Sequence, residues 1–307
     1  MNINYSVVAT TYNDEDSVET FIKEITNQTF PPKEIVIADG GSSDKTVEKL
    51  MEISKSSSVP IRIISGKRLN IAEGYNEALK EALSEFVGIT GVGNHYSGDF
   101  FECLAGRITE KNLDGAYSPV RGFDTTDFSK IYNNQILNGE YGQRLQIASN
   151  HGVLLKKTVF EKLDYFYEKF IYAGEDTEFY LLAEHSGYKF ELVEGAQVYW
   201  ETPKNFKDFK RQTRVYSIAG LQISPYNQLG MIITESAVIV LCIAVFTAFI
   251  ASTIRALVKL SVLLVLAFGV ILLHKKIKPL RLLQIWFQIY YTFANLKYAK
   301  IEYRVRR

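Results

Sequence analysis

Short runs of β-branched residues alternate with stretches of helical spacing through residues 5–90. In the segment 16–28, for example, Val18, Phe21, Ile22 and Ile25 repeat at intervals typical of one buried helix face. The pattern predicts four strands, at 5–10, 34–38, 60–65 and 86–90, and three helices between them, at 16–28, 47–53 and 71–83. Such alternation indicates an α/β domain with a parallel sheet.

Two long apolar segments near the C-terminus break this pattern. Residues 236–254 carry no charge, and residues 256–273 carry only Lys259. At about 1.5 Å per residue, each can cross a hydrocarbon core of roughly 30 Å; a buried helical hairpin of a soluble protein is the alternative. Residues 282–296 are rich in aromatics and contain two glutamines, which favours an interfacial helix over a third span. We therefore expect one domain at 1–220 and a helical transmembrane region at 221–307.

The charge of the chain divides along the same line. Residues 1–230 carry 24 Lys and Arg against 32 Asp and Glu, whereas residues 231–307 carry 11 against 2. The basic segment 274–281 follows the second apolar stretch, so the positive-inside tendency predicts that this end and the N-terminal domain are both cytoplasmic. Because apolar residues dominate the basic region, we expect it and its basic tail to contact membrane lipid and not nucleic acid.

Polar residues gather where the predicted strands end. Thr11, Tyr12, Asn13 and Asp14 follow the first strand, Asp39 follows the second, and residues 91–95 follow the fourth. Each group alone is also typical of an ordinary turn or helix cap. Because the carboxyl ends of parallel strands meet at one edge of a sheet, however, the three groups together predict a ligand site there.

The sequence resembles glycosyltransferase family 2 over about residues 5–220. The likeness is carried by SVVATTYNDEDSVETFIKEITNQTFPPKEIVIADGGSSDKT, KRLNIAEGYNEAL, IASNHGVLLKKTVFEKL, GEDTEFYLLAEHSGYKF and RQTRVYSIAG. Its closest variety is the membrane-anchored polysaccharide glycosyltransferases similar to ExoA. The resemblance implies a GT-A fold, which is a Rossmann-like nucleotide-sugar-binding domain, and a transfer that inverts the anomeric carbon. It also implies a nucleotide-diphosphate sugar as donor, with UDP as the commonest nucleotide.

The resemblance assigns roles to particular residues. For the donor it implies base and ribose contacts from four residues at the strand ends, Thr11, Tyr12, Asp14 and Asp39. Two side chains near that pocket, Lys67 and Asn76, and a late basic motif, Arg211, Gln212 and Arg214, are further donor contacts that it implies. For catalysis it implies Asp176 as the general base, with Glu175 beside it. An attacking sugar hydroxyl needs such a carboxylate to take its proton, although Asp176 could instead cap a helix. His151 is a candidate contact for the acceptor or a structural turn histidine.

The sequence departs from the family where a metal site is expected. Family members hold Mn²⁺ or Mg²⁺ with an Asp-x-Asp pair, but here Gly91 and Gly93 occupy those positions. In the alignment with ExoA-like sequences, His95 matches a histidine instead. A single histidine is a poor ligand set for Mg²⁺, which prefers oxygen ligands. The need for a divalent cation is therefore doubtful.

Two functions are consistent with these features. The first is an active enzyme at the cytoplasmic face of the cell membrane that transfers a sugar to a lipid-linked glycan acceptor; a membrane anchor suits such an acceptor. The second is a catalytically silent relative that binds a nucleotide or partner transferases, which the glycines at 91 and 93 favour. Asp39, Asp176 and the late basic motif favour the active enzyme, and we adopt it as the working hypothesis.

Overall fold

The computed structural model describes residues 3–137, 148–170, 172–223 and 279–295. These residues belong to two compact units, which divide between Asn205 and Phe206. The boundary expected at 220 from the sequence falls inside the first helix of the second unit. Each unit is considered by itself below.

The first part of the chain alternates strands and helices as expected. Its elements are β1 (Tyr5–Thr11), α1 (Val18–Thr26), β2 (Glu34–Asp39), α2 (Thr46–Ser54), β3 (Ile61–Ile64), α3 (Ile71–Glu81) and β4 (Phe86–Gly91). Every one of them begins and ends within two residues of its predicted bounds. The predicted α/β organisation of this part is confirmed.

The remaining elements are shorter and less regular. The first unit continues with β5 (Asn94–Tyr96), α4 (Phe100–Lys111), β6 (Gly115–Tyr117), β7 (Val120–Phe123), α5 (Asp127–Tyr132), a π-helical turn (Asn133–Leu137), β8 (Val153–Lys156), α6 (Lys157–Lys162), α7 (Glu175–His185), β9 (Phe190–Leu192) and β10 (Val198–Glu201). The second unit contains α8 (Phe206–Ile223) and α9 (Pro279–Ala294). Of these elements, the sequence predicted only the helix that Asp176 opens and a helix near 282–296.

The strands form two sheets. The larger has seven strands in the order β3-β2-β1-β4-β8-β6-β9, and the smaller has three in the order β5-β10-β7. In the larger sheet β1 to β4 are mutually parallel where they pair, whereas β8 runs antiparallel to β4, with Ile89 opposite Val153. The chain therefore enters β8 beside the point where it leaves β4. This register brings the segment before Val153 to the edge where the polar residues gather.

The larger sheet is covered on both faces. Along β1, Val7 packs into the cluster that contains Phe21 of α1 and Phe101 of α4, whereas Val8 packs into the cluster with Phe179 of α7. Successive side chains of a strand point to opposite faces, so a strand buried on both sides is apolar throughout. The doubly covered sheet holds its carboxyl edge as a rigid platform.

The predicted transmembrane spans at 236–254 and 256–273 lie outside the described residues. Within the ranges that the structure describes, none of the helices has both the length and the apolar content needed to cross a bilayer. The helix expected at 282–296 is present as α9, three residues earlier at its start.

Candidate active site

The carboxyl end of β2 carries a buried aspartate in a tight turn. Asp39 is 2% exposed, and its carboxylate accepts hydrogen bonds from the N–H groups of Gly41 and Ser42, each at 3.0 Å from Oδ2. The Ser42 hydroxyl donates to the other oxygen at 2.5 Å. Three donors on one carboxylate fix its orientation, as expected for a residue that must present a charge at a set position.

Hydrogen bonds connect the turn after β1 to the turn after β2. Asn13 has a left-handed backbone, with φ of 56°, a conformation that Asn tolerates better than most residues. Its N–H donates to the Ser42 hydroxyl at 2.8 Å, and its side-chain oxygen accepts from the Ser43 N–H at 2.8 Å. The two turns therefore form one hydrogen-bonded unit.

Asp14 completes this side of the site. Its Oδ2 accepts hydrogen bonds from the Thr11 hydroxyl at 2.9 Å and from the Tyr12 N–H at 3.0 Å. Burial raises the pKa of the Asp14 carboxyl, and these two hydrogen bonds oppose the rise. The ring of Tyr12 is 56% exposed, so it is free to stack on a planar ligand. The structure thus brings Thr11, Tyr12, Asp14 and Asp39 to one edge, as the sequence predicted.

The turn between β4 and β5 and the residues beside it offer no carboxylate of their own. Gly93 has φ of 89°, in the left-handed region that favours glycine, and Gly91 ends the strand. His95 lies on β5 between two acidic side chains: its Nδ1 is 3.0 Å from Glu24 Oε1, and its Nε2 is 3.6 Å from Glu201 Oε1. Both ring nitrogens of His95 therefore face carboxylates supplied by other elements.

The described side chains around the expected metal position do not form a cation site. In the part of the chain that the structure describes, no group of three or more His, Cys, Asp or Glu side chains is placed to hold a metal ion. Glu24 and Glu201 approach His95 from opposite ring nitrogens, and Lys204 Nζ lies 2.9 Å from Glu201 Oε2. The described residues thus do not fit a protein-held divalent cation.

The segment that leads into β8 lies beside β5. His151 Nδ1 is 3.0 Å from Asn94 Oδ1, and the His151 ring centroid is 5.1 Å from that of Trp200. Gly152 follows, and a side chain there would lie 2.7 Å from both the Phe100 ring and the Ser118 hydroxyl. Glycine at this position therefore lets the backbone pass close to Phe100 and Ser118. The bond to Asn94 joins the two sides of the site.

The acidic pair stands at the start of α7. The helix begins after Gly174, which has φ of 109° and provides no side-chain cap. Asp176 lies in the first turn; its Oδ1 accepts from the Thr177 N–H at 2.6 Å, and its Oδ2 lies 3.4 Å from the Asn150 N–H. The helix N-terminus favours a negative charge in this turn. The alternative that Asp176 serves as the N-cap is wrong, because Gly174 occupies the cap position.

Glu175 is the more deeply buried member of the pair. It is 5% exposed, and its Oε2 has no hydrogen-bond partner among the described residues. Burial, followed by repulsion from Asp176, raises the pKa of Glu175 to about 8. Two close carboxyls in a dry site do not both ionise easily. The Glu175 carboxyl is therefore mostly protonated near neutral pH.

His151 is neutral beside this pair. Burial lowers the pKa of its imidazole, and the negative charge of Asp176 opposes that effect. If Nδ1 carries the proton that is donated to Asn94, then Nε2 is left as an acceptor. The side chain is therefore suited to accept a hydrogen bond from a hydroxyl.

Two predicted donor residues have well-defined contacts elsewhere in the first unit. Asn76 is 3% exposed; it donates to the Phe166 carbonyl and to Glu168, both at 2.9 Å, and accepts from the Phe166 N–H at 2.9 Å. The Lys67 side chain is 66% exposed, with Nζ 3.5 Å from Glu77. These contacts give Asn76 a structural role in holding the segment that precedes α7.

The late basic motif lies on α8 in the second unit. Arg211 and Arg214 are exposed, and Nη2 of Arg211 is 3.8 Å from Asp208. Gln212, on the same helix, is half-buried. Their contact with the donor stays a prediction.

Several residues of the site were not found from the sequence. Asn150 joins Asp176 to Tyr180, whose hydroxyl donates to Asn150 Oδ1 at 2.9 Å. Asn94, which is part of the predicted polar group 91–95, orients His151, and Glu24 lies 3.0 Å from Nδ1 of His95. The available signal was weak: Asn150 and Asn94 each stand next to a candidate histidine, but their partners are distant in sequence.

Comparison with known proteins supports the family and the fold. The sequence profile described as glycosyl transferase family 2 matches residues 6–171, and that of glycosyl transferase family group 2 matches residues 114–294. A Methanococcus voltae dolichyl N-acetyl-α-D-glucosaminyl phosphate 3-β-D-2,3-diacetamido-2,3-dideoxy-β-D-glucuronosyltransferase is 25% identical over 87% of this chain and 92% of its own length. An Escherichia coli UDP-Glc:α-D-GlcNAc-diphosphoundecaprenol β-1,3-glucosyltransferase is 25% identical over 47% of this chain and 53% of its own.

Solved structures share the fold. A mannosyltransferase from Pyrobaculum calidifontis in complex with GDP-Man and Mn²⁺ has a TM-score of 0.69 and 18% identity, over 96% of this chain and 88% of that one. S. aureus TarS in complex with UDP has a TM-score of 0.53 and 19% identity, over 72% of this chain and 67% of that one. At these identities the likeness establishes a GT-A-like fold.

Proposed function

The chain belongs to glycosyl transferase family 2, and from this premise we propose that it transfers a sugar from a nucleotide-diphosphate sugar to a lipid-linked or polysaccharide acceptor. The observation that carries the proposal is the acidic pair Glu175–Asp176, which stands beside His151 at the sheet edge that also carries Asp39. Relatives named for dolichyl-phosphate-linked and diphosphoundecaprenol-linked sugars support an acceptor on a lipid carrier.

The proposed donor side is the unit formed by the turns after β1 and β2. Asp39 and Asp14 present oriented carboxylates, which accept hydrogen bonds from ribose hydroxyls or base N–H groups. Tyr12 offers an exposed ring for stacking on the base. Neighbouring structures contain UDP in one case and GDP-mannose in another, and we propose UDP as the donor nucleotide.

The proposed reaction is a single displacement. The acceptor hydroxyl attacks the anomeric carbon, its O–H proton passes to Asp176, and the bond from the anomeric carbon to the phosphate oxygen breaks with inversion. Asp176 is the proposed base because it stands in the first turn of α7 beside His151, whereas burial holds Glu175 neutral. His151 accepts a hydrogen bond from a second acceptor hydroxyl through Nε2 and orients the sugar.

The leaving diphosphate must be neutralised, and the described residues do not form a cation site. We propose that a divalent cation, if the enzyme uses one, is bound mainly through the donor diphosphate. One neighbouring structure contains Mn²⁺ with its GDP-mannose, which is consistent with such an arrangement.

The test is a transfer assay with one substitution. Purified full-length protein would be given radiolabelled UDP-sugars or GDP-mannose and a polyprenyl-linked acceptor, and the lipid product would be counted. Asp176→Asn should lower turnover by about 100-fold or more, which is the usual contribution of a positioned base, while donor binding by calorimetry stays unchanged. Equal turnover of the two proteins would remove Asp176 from this role. Failure of the wild type to transfer any bound sugar would reject the proposed function.

A further inference from the structure

The exposed face of α9 is aromatic. Trp286, Tyr290 and Phe293 are 58%, 56% and 55% exposed. They are spaced four and three residues apart, so they lie on one face of the helix. The rings of Trp286 and Tyr290 are stacked, with centroids 6.1 Å apart and planes within 8°. Three half-exposed aromatic side chains amount to an apolar patch on the order of 300 Å².

The opposite face of α9 is polar and buried. Gln284, Gln288 and Thr292 are 6%, 9% and 0% exposed, and Asn295 just beyond the helix is 8% exposed. Their spacing of four, four and three residues also marks a single face. A helix at the surface of a water-soluble protein has the reverse distribution, with its apolar face inside and its polar face outside. On α9 these polar residues are buried together with Ile285 and Phe287, and the exposed face is aromatic.

Packing within the second unit buries Phe287, which lies between the polar and the aromatic faces of α9. The Phe287 ring lies 5.8 Å from Phe206 and 6.1 Å from Phe209 of α8, and Lys210 Nζ is 5.5 Å from the same ring. Phe287 is 8% exposed, so α8 covers the face of α9 that contains it. The aromatic face of Trp286, Tyr290 and Phe293 remains outside this helix pair.

We propose that the aromatic face of α9 lies in the headgroup region of a lipid bilayer. Trp and Tyr are the residues enriched at that depth, where one end of the ring is apolar and the other is hydrated. Basic residues flank the helix on both sides in the sequence, in 274–281 and 297–307, which suits anionic lipid. With 16 residues, α9 is about 24 Å long, short of the roughly 30 Å hydrocarbon core, so it lies in the plane of the membrane.

The fluorescence of Trp286 reports on this directly, because the chain has two tryptophans. Trp200→Phe, or Trp200→Tyr if the first variant folds poorly, leaves Trp286 as the sole reporter. The full chain would be reconstituted in phosphatidylcholine vesicles with phosphatidylglycerol, with and without lipids brominated near the headgroup. We expect brominated lipid to quench most of the Trp286 emission, and acrylamide in the buffer to quench little of it.

A matched reporter on the first unit controls for the method. Leu83 is 78% exposed, and Leu83→Trp in a background without Trp200 and Trp286 should respond to acrylamide and not to brominated lipid. If Trp286 behaves like the Leu83→Trp reporter, its face contacts water and the proposal is wrong. If neither reagent quenches Trp286, a protein surface such as a second copy covers this face, and the proposal is equally wrong. The readout does not depend on transfer activity, so it stands apart from the proposed function.

Discussion

Replacing Glu175 with glutamine should stabilise the protein, and the effect should grow with pH. Glu175 is 5% exposed and its Oε2 has no hydrogen-bond partner among the described residues, so its ionised form is disfavoured in the folded state. Because the pKa of an acid is raised by folding, the folded state is most favoured below the unfolded pKa of about 4.5 and loses stability as the pH rises towards 8. Gln keeps the shape and cannot ionise.

The magnitude follows from the size of the pKa change. At pH 7 the unfolded chain ionises Glu175 and the folded protein does not, a difference of about 2.5 pH units from the value of 4.5. At about 1.36 kcal/mol per unit, this lowers the free energy of unfolding by about 3 kcal/mol. For a domain of this size, about 3 kcal/mol corresponds to a change in Tm of roughly 6–12 °C. At pH 5 the same calculation gives a loss of about 1 kcal/mol in the free energy of unfolding.

The assay is thermal unfolding of detergent-purified protein between pH 5 and pH 8. The Tm of Glu175→Gln should exceed that of the wild type by an increasing margin across this range. Glu184→Gln is the matched control, because Glu184 lies on the same helix but is exposed, and its Tm should follow the wild type at every pH. A margin for Glu175→Gln that does not change with pH would refute the reasoning, since it would show that Glu175 is already ionised in the folded state.

Two further substitutions separate structural from ligand-binding roles. His95→Ala should leave the Mn²⁺ concentration for half-maximal activity unchanged, because both ring nitrogens of His95 face the carboxylates of Glu24 and Glu201. A tenfold change of that concentration in a Mn²⁺ titration would instead make His95 a metal ligand. Asn76→Ala should lower the free energy of unfolding by about 1–3 kcal/mol, since it leaves buried backbone groups of Phe166 unpaired. Calorimetry should then give an unchanged nucleotide Kd at low temperature, whereas a weakened Kd with an unchanged Tm would support the donor-binding role expected from the family.

The parallel half of the sheet could be predicted from the sequence for a physical reason. Strands buried on both faces are continuous apolar runs, and α1 shows its buried face through Val18, Phe21, Ile22 and Ile25. The polar residues after β1 and β2 are close in sequence as well as in space. The position of Asp39 follows from these local patterns, whereas the family, now confirmed, was indicated by the resemblance of the motifs.

The other half could not be predicted in this way. Strands β5, β6, β9 and β10 are three or four residues long, too short to show a period, and their partners are far away in the chain. The bond from His151 to Asn94 joins residues 57 positions apart. The deep burial of Glu175 likewise depends on packing that no local pattern reveals. For α9, the aromatic and polar positions could be identified from the sequence, but which of them are buried depends on packing against α8.

The hydrogen bonds of Asn13 have a consequence for how the site forms during folding. They join the turns after β1 and β2 across 29 and 30 residues, whereas the link between His151 and Asn94 spans 57. By loop-closure entropy alone, the longer connection costs about 0.6 kcal/mol more. More importantly, the shorter loop consists of one β–α–β unit that forms early in synthesis and pairs with its neighbour in sequence, while the longer one requires β4, β5 and β8 to be in place. The proposed nucleotide end of the site can therefore form before the residues proposed to act on the acceptor have been synthesised.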